Sequence, residues 1–252
     1  MKYVFITGMG RSGTKFLGSF FGIDTNVYST HEYIGNREYW LASWYLGGKY
    51  SKVILKRAKT KIESEISQDI FIDVNGYLAD STESLKEVFD DPKIFHLVRS
   101  PKKVVPSLMI RRDDGRMHKV PKTEAEIKKW VNMSKLEQVC TNWVQTTEDL
   151  LKSDADLLQF ENLIKDYNYL SEKVLTPLNI NISQEQYNGF KSKKINKTRG
   201  WLYRYFYAKY KGKQQTSKTI TFDDFDEKQR EQFYAICGPT MVKLGYKQYL
   251  AC

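Results

Sequence analysis

The sequence alternates short apolar runs with longer segments in which apolar residues recur at helical spacing. Four runs have the length and composition of buried parallel strands, and they cover residues 3–7, 70–74, 94–98 and 157–160. Because predicted strands and helices alternate, the pattern indicates a three-layer α/β/α fold around a central parallel sheet. Ligands of such folds bind at the carboxyl ends of the strands.

The first two helical segments have recognisable beginnings. One helix is predicted to begin near Thr14 and to turn Phe16, Leu17 and Phe20 inward. A second is predicted over residues 81–89, with a cap formed by its initial Ser-Thr-Glu-Ser turn. Both helices follow a predicted strand, as a parallel sheet requires.

One long helix is predicted in the second half of the chain. Thr123 and Glu126 have the spacing of a capping box, in which each side chain bonds the backbone N–H of the other residue. The apolar residues that then recur at helical spacing are Ile127, Trp130, Leu136, Val139, Trp143, Val144, Leu150 and Leu151. They predict a continuous helix with one face in the core.

Length and composition indicate one globular domain over residues 1–252. Hydrophobic residues make up 41% and charged residues 28%, which is ordinary globular usage, and no linker-like segment divides the chain. No run approaches the roughly 20 apolar residues that cross a bilayer, and the N-terminus lacks the pattern of a secretory signal. We therefore expect a cytoplasmic protein with no transmembrane segment.

Cysteine and histidine residues are few and widely spaced. The chain has three of each, at Cys140, Cys237, Cys252, His31, His96 and His118. Their spacing matches neither a disulfide framework nor a zinc site, so no metal is expected.

The net charge is strongly positive, since 40 basic residues exceed 30 acidic ones by 10. Such a charge is compatible with a nucleic acid, an anionic membrane or an anionic small molecule. A non-catalytic nucleotide-binding or nucleic-acid-binding module is therefore one alternative for the function, although no motif indicates a specific nucleic acid.

The glycine-rich loop after the first predicted strand has the features of an anion site. A strand–loop–helix order aims free backbone N–H groups and the positive end of the helix dipole at one point. Gly8, Gly10 and Gly13 allow a ligand to approach the backbone closely, and Arg11 and Lys15 add positive charge. The loop is predicted to bind a phosphate-like group.

This loop differs from the ATP-binding motif G-x-x-x-x-G-K-[ST]. Gly8 and Gly13 have the required spacing, but Thr14 follows where the lysine is expected, and the strong charge lies at Arg11. A small-molecule or nucleoside kinase shares a loop of this kind and is the main alternative enzyme.

A second anion site is predicted after the strand at residues 94–98. Arg99 offers a planar guanidinium suited to a phosphate, and Ser107 follows eight residues later on the next helix. Two such sites on one sheet indicate a nucleotide with separated anionic groups.

These two segments resemble the motifs of sulfotransferases that use 3′-phosphoadenosine 5′-phosphosulfate (PAPS). The first resembles a P-loop-like phosphosulfate loop, R/K-S-G-T-[ST]-x-L, and its residues are Gly10, Arg11, Ser12, Gly13, Thr14, Lys15 and Phe16. The segment from Arg99 to Ser107 resembles the 3′-phosphate motif of the same family, R-x-P-x-x-x-x-x-S. Lys15 departs from the family pattern because Thr or Ser is usual there.

Other segments resemble the same family in the same order, so the likeness spans nearly the whole chain. They are residues 30–33, the Phe-Glu-Asn-Leu segment 160–163 and the closing segment 238–246. A late basic loop at residues 191–201 resembles the segment that closes over the 3′-phosphate, and its candidate contacts are Lys193, Lys194 and Arg199.

The resemblance implies in-line transfer of a sulfuryl group from PAPS to an acceptor, which leaves adenosine 3′,5′-bisphosphate. Arg11 and Lys15 would then stabilise the negative charge that develops on the leaving phosphate, and no metal is required. The acceptor would be a hydroxyl or an amine of a small molecule or glycan, with carbohydrate or glycolipid preferred.

The acceptor must also lose a proton, and three residues are candidates for the general base. Glu32 is the first choice, since it resembles a glutamate of some carbohydrate sulfotransferases. His31 is adjacent, and Asp73 lies at the end of a strand, where α/β sheets display their chemistry.

Overall fold

The computed structural model describes residues 1–110, 121–192 and 220–246. Its strands are β1 Lys2–Gly8, β2 Val27–His31, β3 Ile70–Val74, β4 Lys93–Val98 and β5 Asp156–Gln159. They form one sheet in the order β2-β3-β1-β4-β5, and every neighbouring pair is parallel. The predicted central parallel sheet is confirmed.

Helices cover both faces of this sheet. Those before β4 are α1 Thr14–Phe20, α2 Arg37–Leu46, α3 Gly48–Glu65 and α4 Thr82–Val88. Those after β4 are α5 Pro101–Met109, α6 Glu124–Val131, α7 Lys135–Leu151, α8 Phe160–Lys165, α9 Tyr167–Leu170, α10 Thr176–Leu178, α11 Gln184–Lys191 and α12 Glu227–Lys243. Within the described ranges, none of them is long and apolar enough to cross a membrane.

All four predicted strands are present, with ends that differ by one residue at most. Strand β2 was not predicted, because its sequence Val-Tyr-Ser-Thr-His contains no apolar run. This strand lies at the edge of the sheet, and only Val27 among its residues is buried. An edge strand needs less apolar surface than a central one, so its pattern of apolar residues indicates a strand less clearly.

The prediction of one continuous helix after Thr123 is wrong. The capping box of Thr123 and Glu126 is confirmed, but the helix ends at Val131 and a new one begins after a second capping box, formed by Ser134 and Glu137. Two residues predicted to face the core, Ile127 and Leu151, are 37% and 36% exposed. The second box explains the break, since it supplies a complete helix start within the apolar pattern.

The first helix follows its prediction more closely than the second does. Helix α1 begins at Thr14, and Leu17 and Phe20 are buried while Phe16 packs at the edge of the core. The cap predicted for the second helix is wrong: the Ser81 hydroxyl makes no capping bond and instead pairs with the Tyr39 hydroxyl at 2.8 Å.

The core divides between the two faces of β1. Val4 and Ile6 pack with α1 on one face, whereas Phe5 packs with α3 and α4 on the other. Helix α5 packs with α7 and α12, on the face opposite α1. The chain therefore turns to opposite faces after β1 and after β4, which are adjacent strands. This arrangement makes a crevice between their carboxyl ends, where α/β folds bind ligands.

A buried histidine lies on β4 next to β1. His96 on β4 is fully buried, and its Nδ1 and Nε2 each lie 2.6 Å from a hydroxyl, of Thr7 and Ser153 respectively. A neutral imidazole has one N–H donor and one acceptor nitrogen, and a hydroxyl can pair with either. Burial lowers the pKa of His96 to about 4, which keeps the imidazole neutral.

Acidification is expected to destabilise the protein through His96. Its pKa in the folded state lies below the unfolded value of 6.5, so full stability is present above pH 6.5 and is lost as the pH falls toward 4. At roughly 1.4 kcal/mol per pH unit, the loss approaches about 3 kcal/mol. Urea unfolding as a function of pH measures it, and His96→Gln is expected to flatten this dependence. An unchanged pH dependence in His96→Gln contradicts the assignment.

Candidate active site

The loop between β1 and α1 adopts a conformation that only a few residue types favour. Arg11 has a φ of 76° and Gly13 a φ of 98°, both in the left-handed region. The Ser12 side chain is buried, and its backbone N–H bonds the Met9 carbonyl at 3.2 Å. The loop leads directly into the first turn of α1, which begins at Thr14 without a side-chain cap. No N-cap side chain occupies this helix start, an arrangement that suits an anion.

Gly13 is fixed sterically as well as by its backbone. A Cβ at this position would lie 2.1 Å from Cε2 of Phe160, well inside van der Waals contact. Phe160 begins α8, directly after β5. The loop therefore packs against the Phe160 ring, which follows the edge strand β5.

Gly13→Ala is expected to destabilise the fold by about 1–3 kcal/mol or more, because it adds a clash to a strained φ. The matched control is Gly189→Ala, since Gly189 lies within α11 and a Cβ there meets nothing within 4 Å. The control is expected to be neutral or stabilising. Chemical denaturation of both variants measures the difference, and equal stabilities contradict this assignment.

The turn after β4 brings the second predicted anion site into contact with the first. Arg11 donates from Nε to the Ser107 hydroxyl at 2.8 Å, and Arg99 donates from Nη1 to the Arg11 carbonyl at 3.1 Å. These pairs are separated by 96 and 88 residues in the sequence. The structure therefore joins the two predicted sites in the crevice between β1 and β4.

Arg99 retains donor capacity in this arrangement. Its guanidinium lies 4.8 Å from the centre of the Phe160 ring, and its Nε is buried with no hydrogen-bond partner among the described residues. Burial lowers the pKa of Arg99, while Glu161 opposes this change. A buried donor without an acceptor is costly, so the site suits an anionic ligand that would supply one.

Glu161 fixes the turn that carries Arg99. One of its carboxylate oxygens accepts from the Ser100 backbone N–H and the other from the Tyr246 hydroxyl, both at 2.9 Å. Trp143 Nε1 donates to the Arg99 carbonyl at 3.2 Å. The sequence analysis assigned no function to Glu161 and Tyr246. Their signal was the likeness of segments 160–163 and 238–246 to family motifs.

The end of β2 supplies two of the predicted general bases. His31 Nε2 lies 3.0 Å from the Thr14 hydroxyl of the loop and 3.6 Å from Oε1 of Glu32. The side chain of Glu32 is 40% exposed and that of His31 is 27% exposed. Burial lowers the pKa of His31, the nearby Lys15 acts in the same direction, and Glu32 opposes both. The imidazole is therefore neutral near pH 7 and adjoins the loop.

Asp73, the third predicted base, lies beneath the surface. It is fully buried at the end of β3, and its carboxylate accepts from the backbone N–H groups of Tyr33 and Ile34, each at 3.0 Å. Burial raises the pKa of Asp73 to about 6, although hydrogen bonds from Asn75, Tyr33 and Ile34 oppose the change. The structure brings Asp73 to the segment after Glu32 without exposing it.

The remaining predicted site residues divide into two groups. Lys15 is exposed on the first turn of α1. The basic residues Lys193, Lys194 and Arg199 lie outside the described residues. Across the described ranges, no cluster of three or more His, Cys, Asp or Glu side chains has the arrangement of a metal site.

The five-stranded parallel sheet, with its glycine loop after the central strand, is the fold of the sulfotransferases. The chain is similar in structure to the sulfotransferase domain from the curacin biosynthetic pathway, with a TM-score of 0.53 and 13% identity over 98% of both chains. It is similar also to a mouse sulfotransferase complexed with PAP, with a TM-score of 0.51 and 16% identity, over 99% of this chain and 88% of the other.

No family model matches the chain, and no curated protein matches it. The structural likeness therefore identifies the fold, and the function is argued from the site.

Proposed function

We propose that the protein transfers a sulfuryl group from PAPS to an acceptor hydroxyl or amine. The observation that carries the proposal is the convergence of Arg11, Arg99 and Ser107 in the crevice between β1 and β4. A nucleotide with anionic groups at both its 3′ and 5′ positions would use two such sites side by side. The likeness to a mouse sulfotransferase complexed with PAP supports this choice of donor.

In the proposed complex, the two anion sites have separate roles. The loop amides and Arg11 would bind the 5′-phosphosulfate, and Arg99 and Ser107 would bind the 3′-phosphate. The unpartnered Nε of Arg99 fits this assignment, since it lacks an acceptor that a phosphate would supply. Lys15 adds positive charge at the same helix end and would stabilise the leaving phosphate.

The acceptor side of the site is assigned to the end of β2. Glu32 is the proposed base because its carboxylate is more exposed than that of Asp73. It also lies near His31, which contacts Thr14 of the loop. His31 would connect the two parts of the site, since its Nε2 lies 3.0 Å from the Thr14 hydroxyl and 3.6 Å from Oε1 of Glu32. The proton of the acceptor would pass to Oε1 or Oε2 of Glu32 as the sulfuryl group leaves the donor.

The acceptor class is proposed on the resemblance of Glu32 to a glutamate of some carbohydrate sulfotransferases. A carbohydrate or glycolipid is therefore the first class to test. A small-molecule hydroxyl or an amine is the next class.

The proposal is tested by supplying radiolabelled PAPS or radiolabelled ATP together with a panel of glycan, glycolipid, phenol and amine acceptors. Transfer from PAPS without added metal is the expected result. Transfer from ATP alone would establish a kinase and overturn the proposal. Salt-sensitive binding to DNA or RNA, with no thermal shift from adenosine 3′,5′-bisphosphate, would instead indicate a nucleic-acid-binding module.

A further inference from the structure

A buried pair of side chains joins the segment that carries Glu32 to the end of β3. The Asp73 carboxylate accepts from Tyr33 N–H and Ile34 N–H, as described above, and also from Nδ2 of Asn75 at 3.0 Å. Asn75 donates a second bond from Nδ2 to the Ile34 carbonyl at 2.7 Å. Tyr33 and Ile34 are thus held at their N–H groups, and Ile34 is also held at its carbonyl.

Asn75 also holds the turn at Gly76, which adjoins the phosphate-binding loop. Its Oδ1 accepts from Tyr77 N–H at 2.9 Å, and its own N–H bonds the Ile6 carbonyl of β1 at 2.9 Å. Between these bonds lies Gly76, where a Cβ would approach the Gly8 carbonyl oxygen to 2.7 Å. The turn at Gly76 is therefore packed directly against the start of the loop.

From these contacts we infer that Asp73 and Asn75 are positioning residues that set the distance between the general base and the phosphate-binding loop. We call this pair the Asp73–Asn75 clamp. The inference rests on the proposed function, since it takes Glu32 as the base. It assigns to Asp73 a role that acts through Glu32.

Backbone strain at Glu32 supports this role. Its φ of 60° is left-handed, a conformation that is unfavourable for a residue with a Cβ. Such strain persists only where the surroundings hold it. The bond from Glu32 N–H to the Val74 carbonyl is long, at 3.4 Å, so the bonds to Tyr33 and Ile34 supply the firmer restraint.

The environment of Asp73 argues against direct proton transfer. The residue has no exposed surface, and both of its carboxylate oxygens already accept hydrogen bonds from three donors in all. A base must reach the proton it removes, directly or through one water. Among the described residues, its carboxylate bonds backbone N–H groups and the Asn75 side chain.

The chain contains a matched control for this carboxylate. Asp24 is also buried, and it accepts from two backbone N–H groups, of Asn26 at 2.9 Å and Asn181 at 2.7 Å. It precedes β2 and so lies at the amino ends of the strands, away from the site. Asp24→Asn removes the same kind of interaction without touching the clamp.

The test compares Asp73→Asn with Asp24→Asn in the full chain. Asp73→Asn is expected to lower kcat by about 10–100-fold, the usual effect of losing a positioning contact, with binding of adenosine 3′,5′-bisphosphate unchanged. Asp24→Asn is expected to lose stability and keep kcat. Asn75→Ala provides a second variant should Asp73→Asn fail to fold, and the same loss of kcat is expected from it.

A double-variant cycle separates positioning from direct catalysis. If Asp73 acts through Glu32, Asp73→Asn has little further effect on the residual rate of Glu32→Gln. A full additional loss in that background makes Asp73 a base and overturns the inference. A kcat in Asp73→Asn or Asn75→Ala equal to that of Asp24→Asn also overturns it. No transfer by the unaltered protein from PAPS to any acceptor overturns the proposed function, and the clamp falls with it.

Discussion

Glu32→Gln is expected to lower kcat by about 10²–10⁴-fold and to leave the affinity for adenosine 3′,5′-bisphosphate unchanged. The amide keeps the size of the side chain but has no basic oxygen, so it cannot take the proton from the acceptor. The proposed anion sites at Arg11 and Arg99 are formed by other elements and are expected to stay intact. Steady-state kinetics with PAPS and isothermal titration with the bisphosphate measure the two effects separately.

Glu38→Gln is the control for this change, because Glu38 is an exposed carboxylate on the first turn of the helix that follows. It is expected to keep full activity. Normal turnover in Glu32→Gln would contradict the assignment of the base and transfer that role to His31, whose imidazole lies 3.6 Å away. His31→Gln would then be expected to show the large loss.

Arg99→Ala and Arg11→Ala form the second large prediction. Each is expected to weaken binding of adenosine 3′,5′-bisphosphate by roughly 10–100-fold, since a hydrogen bond to a charged group contributes about 1.5–3 kcal/mol. The effect of Arg99→Ala is expected to depend on the 3′-phosphate. The variant should bind adenosine 5′-monophosphate as weakly as the unaltered protein does.

The matched control for both variants is Arg57→Ala, because Arg57 is an exposed arginine on α3, remote from the crevice. Binding by this variant should equal that of the unaltered protein. A similar loss in Arg57→Ala would indicate a general effect of net charge, which is also tested by repeating the titration at high salt.

The sequence was sufficient for the parts of the fold that are decided by local patterns. The buried strands are continuous apolar runs, and α1 and α6 have clear starts at Thr14 and Thr123. Strand β2 lacked such a run, and α6 ended at Val131, before the new helix start at Ser134, where the apolar period alone would have continued. Strand β2 depends on pairing with β3, and the helix break depends on a second cap. The spacing of apolar residues reveals neither.

The candidate site could be predicted only in part for a similar reason. Arg11, Arg99 and Ser107 were found because each belongs to a recognisable motif, but their mutual contacts arise from the adjacency of β1 and β4. Asp73 was placed at a strand end, yet its burial and its bonds to Tyr33 and Ile34 depend on tertiary packing. A strand-end carboxylate has the same sequence signal whether it faces solvent or backbone amides.

The most direct test of the central claim is a titration of the unaltered protein, without added metal, with three nucleotides. Adenosine 3′,5′-bisphosphate is expected to bind at least about tenfold more tightly than adenosine 5′-monophosphate, because only the bisphosphate reaches both anion sites, and a single charged contact accounts for such a ratio. It is also expected to bind more tightly than ATP. Equal binding of the mono- and bisphosphate, or tighter binding of ATP, would contradict the account.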